Sequence, residues 1–280
     1  MRWKSFFLTA GMYLIIPALF LICWHVAARQ VQNEVILPGI GQVAGLLRHP
    51  AQDLISMGSL AANVGISLVR VLAGYLLAVM LAVPLGIVMG YYRPVFKLLN
   101  GFLSLFRPIP PLAWVPLVLA WFGVASLASV MKVESGPSYI FLNNLKFSMI
   151  FIIFIGAFYP VLTSSIHGVA NVRRILLDSA HVLGAGRRDI FRKILLPAAA
   201  PSIVNGMRIG LGVAWMCLVS AEMLPGSLSG VGYLITHAYT MANTDIVIAG
   251  MISIGLVGAG LDLVFRLWEE KKFAWTRMAR

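Results

Sequence analysis

Residues 68–91 read LVRVLAGYLLAVMLAVPLGIVMGY, an apolar run that carries a single charged side chain, Arg70. An α-helix rises 1.5 Å per residue, so about 20 apolar residues cross a hydrocarbon layer that is about 30 Å thick. The run therefore predicts a membrane-spanning helix. Further runs of the same kind would make the whole chain an integral membrane protein.

The overall composition agrees with a membrane location. Of the 280 residues, 60% are hydrophobic and 11% are charged, whereas a typical soluble domain has about 45–50% apolar and about 25% charged residues. The net charge of +12 could suggest a nucleic-acid partner. On so apolar a chain, basic residues more often flank membrane spans on the cytoplasmic side, so we expect contact with membrane lipid and no nucleic acid.

The hydropathy pattern predicts six spans, at residues 6–28, 68–91, 98–124, 147–168, 198–224 and 246–267. The first follows Arg2 and Lys4 like a signal peptide, but its apolar run is too long and lacks an A-x-A cleavage site, so we interpret it as a retained span. Residues 34–66 and 125–146 are expected to form exposed loops with short helices. The predicted fold class is an all-α integral membrane protein, with one domain over residues 1–280.

The distribution of basic residues predicts the topology, because Lys and Arg near span ends mark the cytoplasmic side. With the amino terminus inside, fifteen of the 22 Lys and Arg residues fall on that side. They are Arg2, Lys4, Arg93, Lys97, Arg173, Arg174, Arg187, Arg188, Arg192, Lys193, Arg266, Lys271, Lys272, Arg277 and Arg280. We expect both termini to be cytoplasmic in a multi-pass protein of the bacterial inner membrane.

The largest cytoplasmic loop, residues 170–193, reads ANVRRILLDSAHVLGAGRRDIFRK and precedes ILLPAAAPSIVNGMRIG. Leu176, Ala180 and Leu183 follow helical spacing, which predicts a helix with one narrow apolar face. Gly184 is expected to end that helix, and Pro197 to begin the next span. The pattern predicts a helix–turn–helix elbow that needs a partner, although an amphipathic helix on lipid headgroups would also fit.

The loop resembles the cytoplasmic signature of binding-protein-dependent ABC importer permeases, which is E-A-A, three residues, G, nine residues, I, any residue, L-P. The matching positions are Asp178, Ser179, Ala180, Gly184, Ile194, Leu196 and Pro197. Asp178 and Ser179 depart from Glu and Ala but keep the charge and the small size. The resemblance implies that these residues, together with Leu183, couple the spans to a separate ATPase.

Longer blocks resemble the permeases for nitrate, bicarbonate, taurine and alkanesulfonates, including RPIPPLAWVPLVLAWFG at 107–123 and GLGVAWMCLVSAEML at 210–224. The family implies a type I importer permease fold, a second permease copy, two ATP-binding cassette ATPases and an extracytoplasmic solute-binding protein. It also implies a small anionic solute and no cofactor bound by this chain, with ATP and Mg used by the ATPase. The segment between Gly123 and Phe151 is longer than the family pattern.

Several residues are candidates for the solute pathway. Four prolines, Pro108, Pro110, Pro111 and Pro116, predict a kinked or partly unwound third span, and irregular backbone at membrane depth usually faces protein or water. Arg107 could attract an anion or extend to headgroups, and Trp114 could line the pathway or pack. The candidate set is Arg107, Pro110, Trp114, Trp215 and Glu222.

Glu222 has a second interpretation, because a carboxylate repels anions; it could instead accept hydrogen bonds from amides around Gly226 or Gly230. Arg208 could pair with Asp178 or extend to headgroups. The GxxxG pairs Gly86/Gly90 and Gly206/Gly210 are expected to pack helices within one subunit, with dimer contact as the alternative.

Two other classes of function compete with an ABC permease. An ion-gradient-driven secondary transporter is the alternative, but such proteins commonly carry ionisable residues at mid-membrane. A membrane enzyme would need a cluster of catalytic side chains, which the sequence lacks. The chain has no Walker A pattern, and Cys23, Cys217 and its histidines have no metal-ligand spacing. We therefore expect no catalytic or metal site and an energy source in another subunit.

Overall fold

The computed structural model describes residues 2–123, 125–223 and 226–273, with side chains from Ile15 onward. It is almost entirely helical. The α-helices are α1 Arg2–Val31, α2 Ile40–Arg48, α3 Leu60–Tyr91, α4 Arg93–Phe106, α5 Val115–Phe122, α6 Leu127–Met131, α7 Pro137–Asn143, α8 Phe147–Ala170, α9 Arg174–Val182, α10 Arg187–Asp189, α11 Leu196–Glu222, α12 Val231–Thr240 and α13 Thr244–Lys272. A 3₁₀ turn, Pro111–Trp114, precedes α5, and a π-helical segment, Ile190–Leu195, joins α10 to α11.

The apolar helices account for the predicted spans. Four are long and apolar enough to cross a membrane, namely α3, α8, the continuous helix Arg187–Glu222, and α13. The pair Arg93–Phe106 and Pro111–Phe122, bent by 82°, counts as a fifth candidate if the two helices together form one broken span. The remaining prediction, 6–28, falls within α1, whose side chains are described from Ile15 onward; that described part, Ile15–Val31, is an apolar helix. The all-α membrane fold is confirmed, while the predicted span ends Val124 and Leu224, and Arg277 and Arg280, lie outside the described residues.

α3 begins eight residues earlier than predicted, within the segment that was expected to be a loop. The Ser59 hydroxyl accepts a hydrogen bond from the Ala62 amide at 3.2 Å and caps the helix. A serine in this role satisfies one of the free N–H groups of the first turn. Hydropathy does not identify the first two turns as part of the span, because Asn63 and Ser67 are polar. In the structure both side chains are buried against the rest of the bundle.

The third span is broken at the prolines, as the sequence predicted. α4 ends at Phe106, and the chain turns through Pro108 and Pro110 before α5 resumes. Proline lacks an amide donor and its ring clashes with the carbonyl four residues earlier, so consecutive helical hydrogen bonds cannot form there. The 82° bend means that these residues do not form a straight span over 98–124.

α3, α8 and α11 form the centre of the bundle. Val71 of α3, Ile153 of α8 and Leu218 of α11 are fully buried in one apolar cluster. Trp215 belongs to the same cluster, with 3% of its surface exposed, and its indole donates a hydrogen bond to the Ile254 carbonyl of α13 at 3.1 Å. The sites described below lie on or beside these three helices.

The two GxxxG pairs pack inside the chain, which confirms the predicted internal role. A Cβ at Gly86 would lie 3.0 Å from the Leu162 carbonyl oxygen, and one at Gly210 would lie 3.2 Å from that of Ala157. Both carbonyls belong to α8. Glycine therefore lets α3 and α11 approach α8 backbone to backbone.

The outer helices attach to this centre less extensively. α13 packs on α11 and α12, where Arg208 pairs with Asp262 and Glu269, each at 3.3 Å. Arg208 does not pair with Asp178, because α13 supplies carboxylates next to it. α1 touches α2, and the Trp24 indole donates to the Pro38 carbonyl at 3.1 Å. The large aliphatic side chains of α1 that are described from Ile15 onward, such as Ile16 at 76% exposure, face outward.

The loops contain more helix than the sequence predicted. In the segment 125–146, the expected short helix is α6, but α7 was not predicted. α12 was not predicted either. Each is short and flanked by glycine or polar residues, so it gives no span-length apolar signal.

Candidate functional site

The loop at 170–193 folds as the predicted elbow. α9 ends at Val182, and Gly184 takes a left-handed conformation with φ of +82°. The Gly184 amide donates to the His181 carbonyl and the Ala185 amide to the Ala180 carbonyl, both at 3.0 Å. These bonds close the carboxyl end of α9 and turn the chain into α10.

The apolar side chains of the elbow divide into two groups, which corrects the single face predicted from Leu176, Ala180 and Leu183. Ala180 is 6% exposed, while Leu183 is 86% exposed and its neighbour Val182 87%. Because α9 ends at Val182, Leu183 lies in the turn and leaves the helical register. Leu176, at 46% exposure, is intermediate. Ala180 therefore packs inside the elbow, whereas Val182 and Leu183 form an exposed apolar tip.

The end of the signature lies in a continuous helix instead of at the start of a new one. Ile194 belongs to the π segment, and Leu196 and Pro197 open α11. Pro197 cannot donate to the Lys193 carbonyl, so regular α-helical bonding is interrupted at this point. The π geometry directly before it accommodates that interruption. Asp178 and Ser179 lie on α9, and both are exposed.

Two cavities meet beside the broken third span. One, of about 410 Å³, lies between the break, α8 and α11. The other, of about 670 Å³, lies between α4, α8 and α9. Arg107 and Thr163 line both cavities, so they mark the junction between them. One cavity lies beside α11 and the other on the elbow side of the bundle, and they adjoin at these two residues.

The walls of these cavities are basic. Arg93, Arg107, Arg174 and His167 line them, and no Asp or Glu occurs among the described lining residues. Arg107 forms no ion pair with a described carboxylate. An arginine at a bend inside a membrane span is costly unless it meets water, a partner or an anion.

The other predicted pathway residues are placed less favourably. Pro110 is exposed but lies beside the cavities, which its neighbours Ile109 and Pro111 line. The Trp114 ring packs against Phe106 and Phe151, with centroids 6.0 and 6.3 Å away, and its buried indole nitrogen has no hydrogen-bond partner. Trp215 lies in the core, so it reaches no surface that a solute could touch.

Glu222 lies in a buried polar cluster on the opposite side of the bundle from the elbow. The Arg70 guanidinium contacts its carboxylate at 2.6 Å, and the Ser67 hydroxyl donates to it at 2.8 Å. The Gly232 amide donates at 3.1 Å, which supports the second interpretation of Glu222, as an acceptor from nearby amides. Glu222 is 1% exposed, so it does not face a pathway in this structure.

The same cluster fixes two loops. Arg70 donates to the Asn144 carbonyl at 2.7 Å and to the Ser229 carbonyl at 2.7 Å. Lys146, which precedes α8, donates to the Gly226 carbonyl. Burial, followed by the positive charge of Arg70, lowers the pKa of Lys146. These bonds fix the segment 125–146 and the segment after α11 to α3.

Arg70 is the main residue that the sequence reasoning missed. The signal was available, because Arg70 is the one charge in the run 68–91 and Glu222 is an acid near the end of another span. A buried charge in a membrane protein usually has a partner. Among the described residues, no three His, Cys, Asp or Glu side chains are grouped as a metal ion would require.

Comparisons with known proteins agree with this architecture. Residues 82–272 match the family described as binding-protein-dependent transport system inner membrane component. An ABC transporter permease protein of Methanocaldococcus jannaschii is 48% identical over 95% of this chain and 92% of that protein. The taurine transport system permease TauC of Escherichia coli is 31% identical over 93% and 87%. The aliphatic sulfonates transport permease SsuC of Bacillus subtilis is 33% identical over 94% and 86%.

Solved structures show the same fold. A chain of the MetNI methionine ABC transporter, in an inward-facing conformation, gives a TM-score of 0.60 at 14% identity, covering 76% of this chain and 95% of that one. A bacterial alginate ABC transporter, solved with an alginate-bound periplasmic protein, gives 0.54 at 16% identity over 96% and 92%. With a family match across most of its length, the chain belongs to the inner-membrane components of binding-protein-dependent transport systems, the permease subunits of ABC importers.

Proposed function

We propose that the chain is a single permease domain that imports a small anion, an oxyanion or a sulfonate. It works with a second copy of itself, two ATPase subunits and an extracytoplasmic solute-binding protein, and its termini are cytoplasmic. The chain itself binds no cofactor; ATP and Mg are used by the ATPases. The observation that carries the proposal is the elbow, which combines the signature spacing with an exposed apolar tip.

The tip explains why a partner is needed at this position. Val182 and Leu183 are more than 80% exposed beside a polar loop, and burying such side chains against a partner removes apolar surface from water. Ala180 and Leu177 pack inward, where Leu177 contacts the cluster around Leu195 and Val169. Movement imposed on the tip is therefore transmitted to α8 and α11 through packed side chains.

The basic cavities support an anion as the solute. Arg107 lies where the two cavities join, and no described acid neutralises it. We assign Arg107 as a solute contact, with Trp114 and Pro110 shaping the bend beside it. The relatives named for taurine and aliphatic sulfonates support the same class of solute.

Replacing Leu183 by Glu tests the elbow. The variant places a charge at the tip without touching the buried side of α9, so the chain should still fold. We expect recovery of the co-expressed ATPase with the tagged permease to fall at least about tenfold, as for a central interface residue. ATP-driven uptake in vesicles should fall with it.

Ile175 of α9 provides the matched control, since it is 70% exposed in the same elbow but lies outside the signature. Ile175→Glu should retain the ATPase and uptake. Equal loss in both variants, or normal ATPase recovery with Leu183→Glu, would contradict the assignment of the coupling site.

A further inference from the structure

A third cavity, of about 700 Å³, lies on the elbow side of the bundle, outside the two cavities assigned to the solute. It lies where the end of α3 meets α10 and the π segment. Its walls include Val88, Tyr91, Tyr92, Arg187, Arg188 and Arg192. Its three arginines lie in the loop 170–193 but outside the signature positions, and Tyr91 also lines the larger of the two solute cavities.

The charges of this cavity are uncompensated. Arg187, Arg188 and Arg192 form no ion pair with any described carboxylate, and the nearby Asp189 pairs with Lys193 at 2.8 Å. All three are exposed, and three like charges within six residues create a positive potential that attracts an anion. A guanidinium offers paired N–H donors that match a phosphate oxygen pair.

The aromatic residues at the rim indicate a membrane-interface position. Tyr91 and Tyr92 end α3, and Tyr91 packs edge-on against Phe191 of the π segment with ring centroids 5.7 Å apart. Tyrosine combines an apolar ring with a polar tip, which suits the boundary between acyl chains and headgroups. Tyr91 therefore links the cavity to the π segment.

An exposed apolar strip leads from the membrane core to this cavity. Leu76, Met80 and Tyr91 are 53%, 60% and 38% exposed, and their spacing of four and eleven residues places them on one face of α3. Leu76 and Met80 line neither of the two solute cavities. A molecule that lies along this strip has an apolar tail and places its polar end among the arginines.

We propose that this cavity binds the phosphate-bearing headgroup of an anionic phospholipid, with an acyl chain along Leu76 and Met80. Basic pockets beside membrane helices on the cytoplasmic side are suited to such headgroups. A bound phosphate would bridge the arginines of α10 and the π segment to the end of α3. The lipid would then steady the segment that connects the elbow to α11.

The test compares lipid retention by the full-length chain, purified in mild detergent with equal amounts of phosphatidylglycerol and phosphatidylcholine and analysed by native mass spectrometry. The wild type should retain phosphatidylglycerol preferentially. The triple variant Arg187→Gln, Arg188→Gln, Arg192→Gln should lose that preference by about tenfold or more, since each basic residue contributes to the attraction. Replacement of the same three by Lys should keep part of it, because the charge remains while the paired donors are lost.

A control variant removes the same charge elsewhere: Arg173→Gln, Lys271→Gln, Lys272→Gln, three exposed residues outside the cavity. It should retain the lipid preference. Equal loss in both triple variants would overturn the proposal, because the attraction would then be general electrostatics. The Lys variant keeps the test decisive if the Gln variant does not fold.

Two further measurements distinguish a bound lipid headgroup from free phosphate and from a docked ATPase. Inorganic phosphate at millimolar concentration should not displace the lipid, since it lacks the tail; full displacement would identify a free-phosphate site and overturn the lipid assignment. An unchanged lipid preference in the Gln variant, with loss of the co-purified ATPase, would identify an ATPase-docking surface instead. Lipid retention is measured without transport, so its failure is distinguishable from failure of the coupling proposal.

Discussion

Arg70 and Glu222 lie 152 residues apart in the chain and meet at 2.6 Å, with both side chains almost fully buried. Their contact joins the start of α3 to the end of α11. Removing one partner of a buried pair leaves an uncompensated charge and costs about 3–5 kcal/mol. The pair therefore fixes the end of the bundle that lies opposite the elbow.

We expect Arg70→Met and Glu222→Met to lower the thermal unfolding temperature in detergent strongly, and to loosen the loops that contain Asn144 and Ser229. The double variant Arg70→Met, Glu222→Met should recover part of the loss, because no lone charge remains. The exposed pair Asp189 and Lys193 is the control, and Asp189→Asn should leave the unfolding temperature close to that of the wild type. Full additivity of the two buried changes would argue against direct coupling.

Gly230 supports the same cluster from the loop after α11. Its φ is +110°, and an added Cβ would lie 2.3 Å from the Glu222 carboxylate. The backbone conformation alone should make Gly230→Ala less stable by about 1–2 kcal/mol. The clash with the Glu222 carboxylate should add to that loss of stability. Gly255→Ala in α13 is the control, since its Cβ meets open space and alanine favours a helix. Equal unfolding temperatures for the two variants would show that the polar cluster around Glu222 can accommodate the added methyl group.

Arg107 is the residue whose charge should matter for uptake. Arg107→Gln should reduce ATP-driven anion uptake at least about tenfold, because a unit charge close to an anion contributes up to roughly 4 kcal/mol at an intermediate dielectric. Arg107→Lys should retain more activity. ATPase recovery should stay normal in both, since the elbow is unchanged.

The control for Arg107 is Arg48→Gln, which removes an exposed charge outside both cavities. Its uptake should match the wild type. If Arg107→Gln transports normally, or if it loses uptake only together with ATPase binding, Arg107 does not contact the solute.

Arg107 and Arg70 illustrate which features can be predicted from sequence and which depend on helix packing. Local signals were sufficient for the long apolar helices, for the bend at Pro108 and Pro110, and for the elbow at Gly184, because each depends on residues close together in the chain. The Arg70–Glu222 pair, the core position of Trp215 and the meeting of two cavities at Arg107 depend on helix packing. Hydropathy cannot reveal which face of a fully apolar helix turns inward, so Trp215 was placed in the pathway although it lies in the core.

Variants of Gly184 distinguish the effect of backbone conformation from that of side-chain contact at the elbow. Its φ of +82° suits glycine, is tolerated by asparagine and costs alanine about 1–2 kcal/mol. An added Cβ would meet nothing within 4 Å, so any effect must come from the backbone. ATPase recovery and uptake should therefore decrease in the order Gly184, Gly184→Asn, Gly184→Ala. Gly186→Ala is the matched control. Gly186 has a φ of −69°, which alanine adopts readily, and a Cβ there would lie 4.0 Å from Asp189. The Gly186→Ala variant should therefore transport normally. Equal activity of the Asn and Ala variants would show that the left-handed turn is not what orients the apolar tip toward its partner.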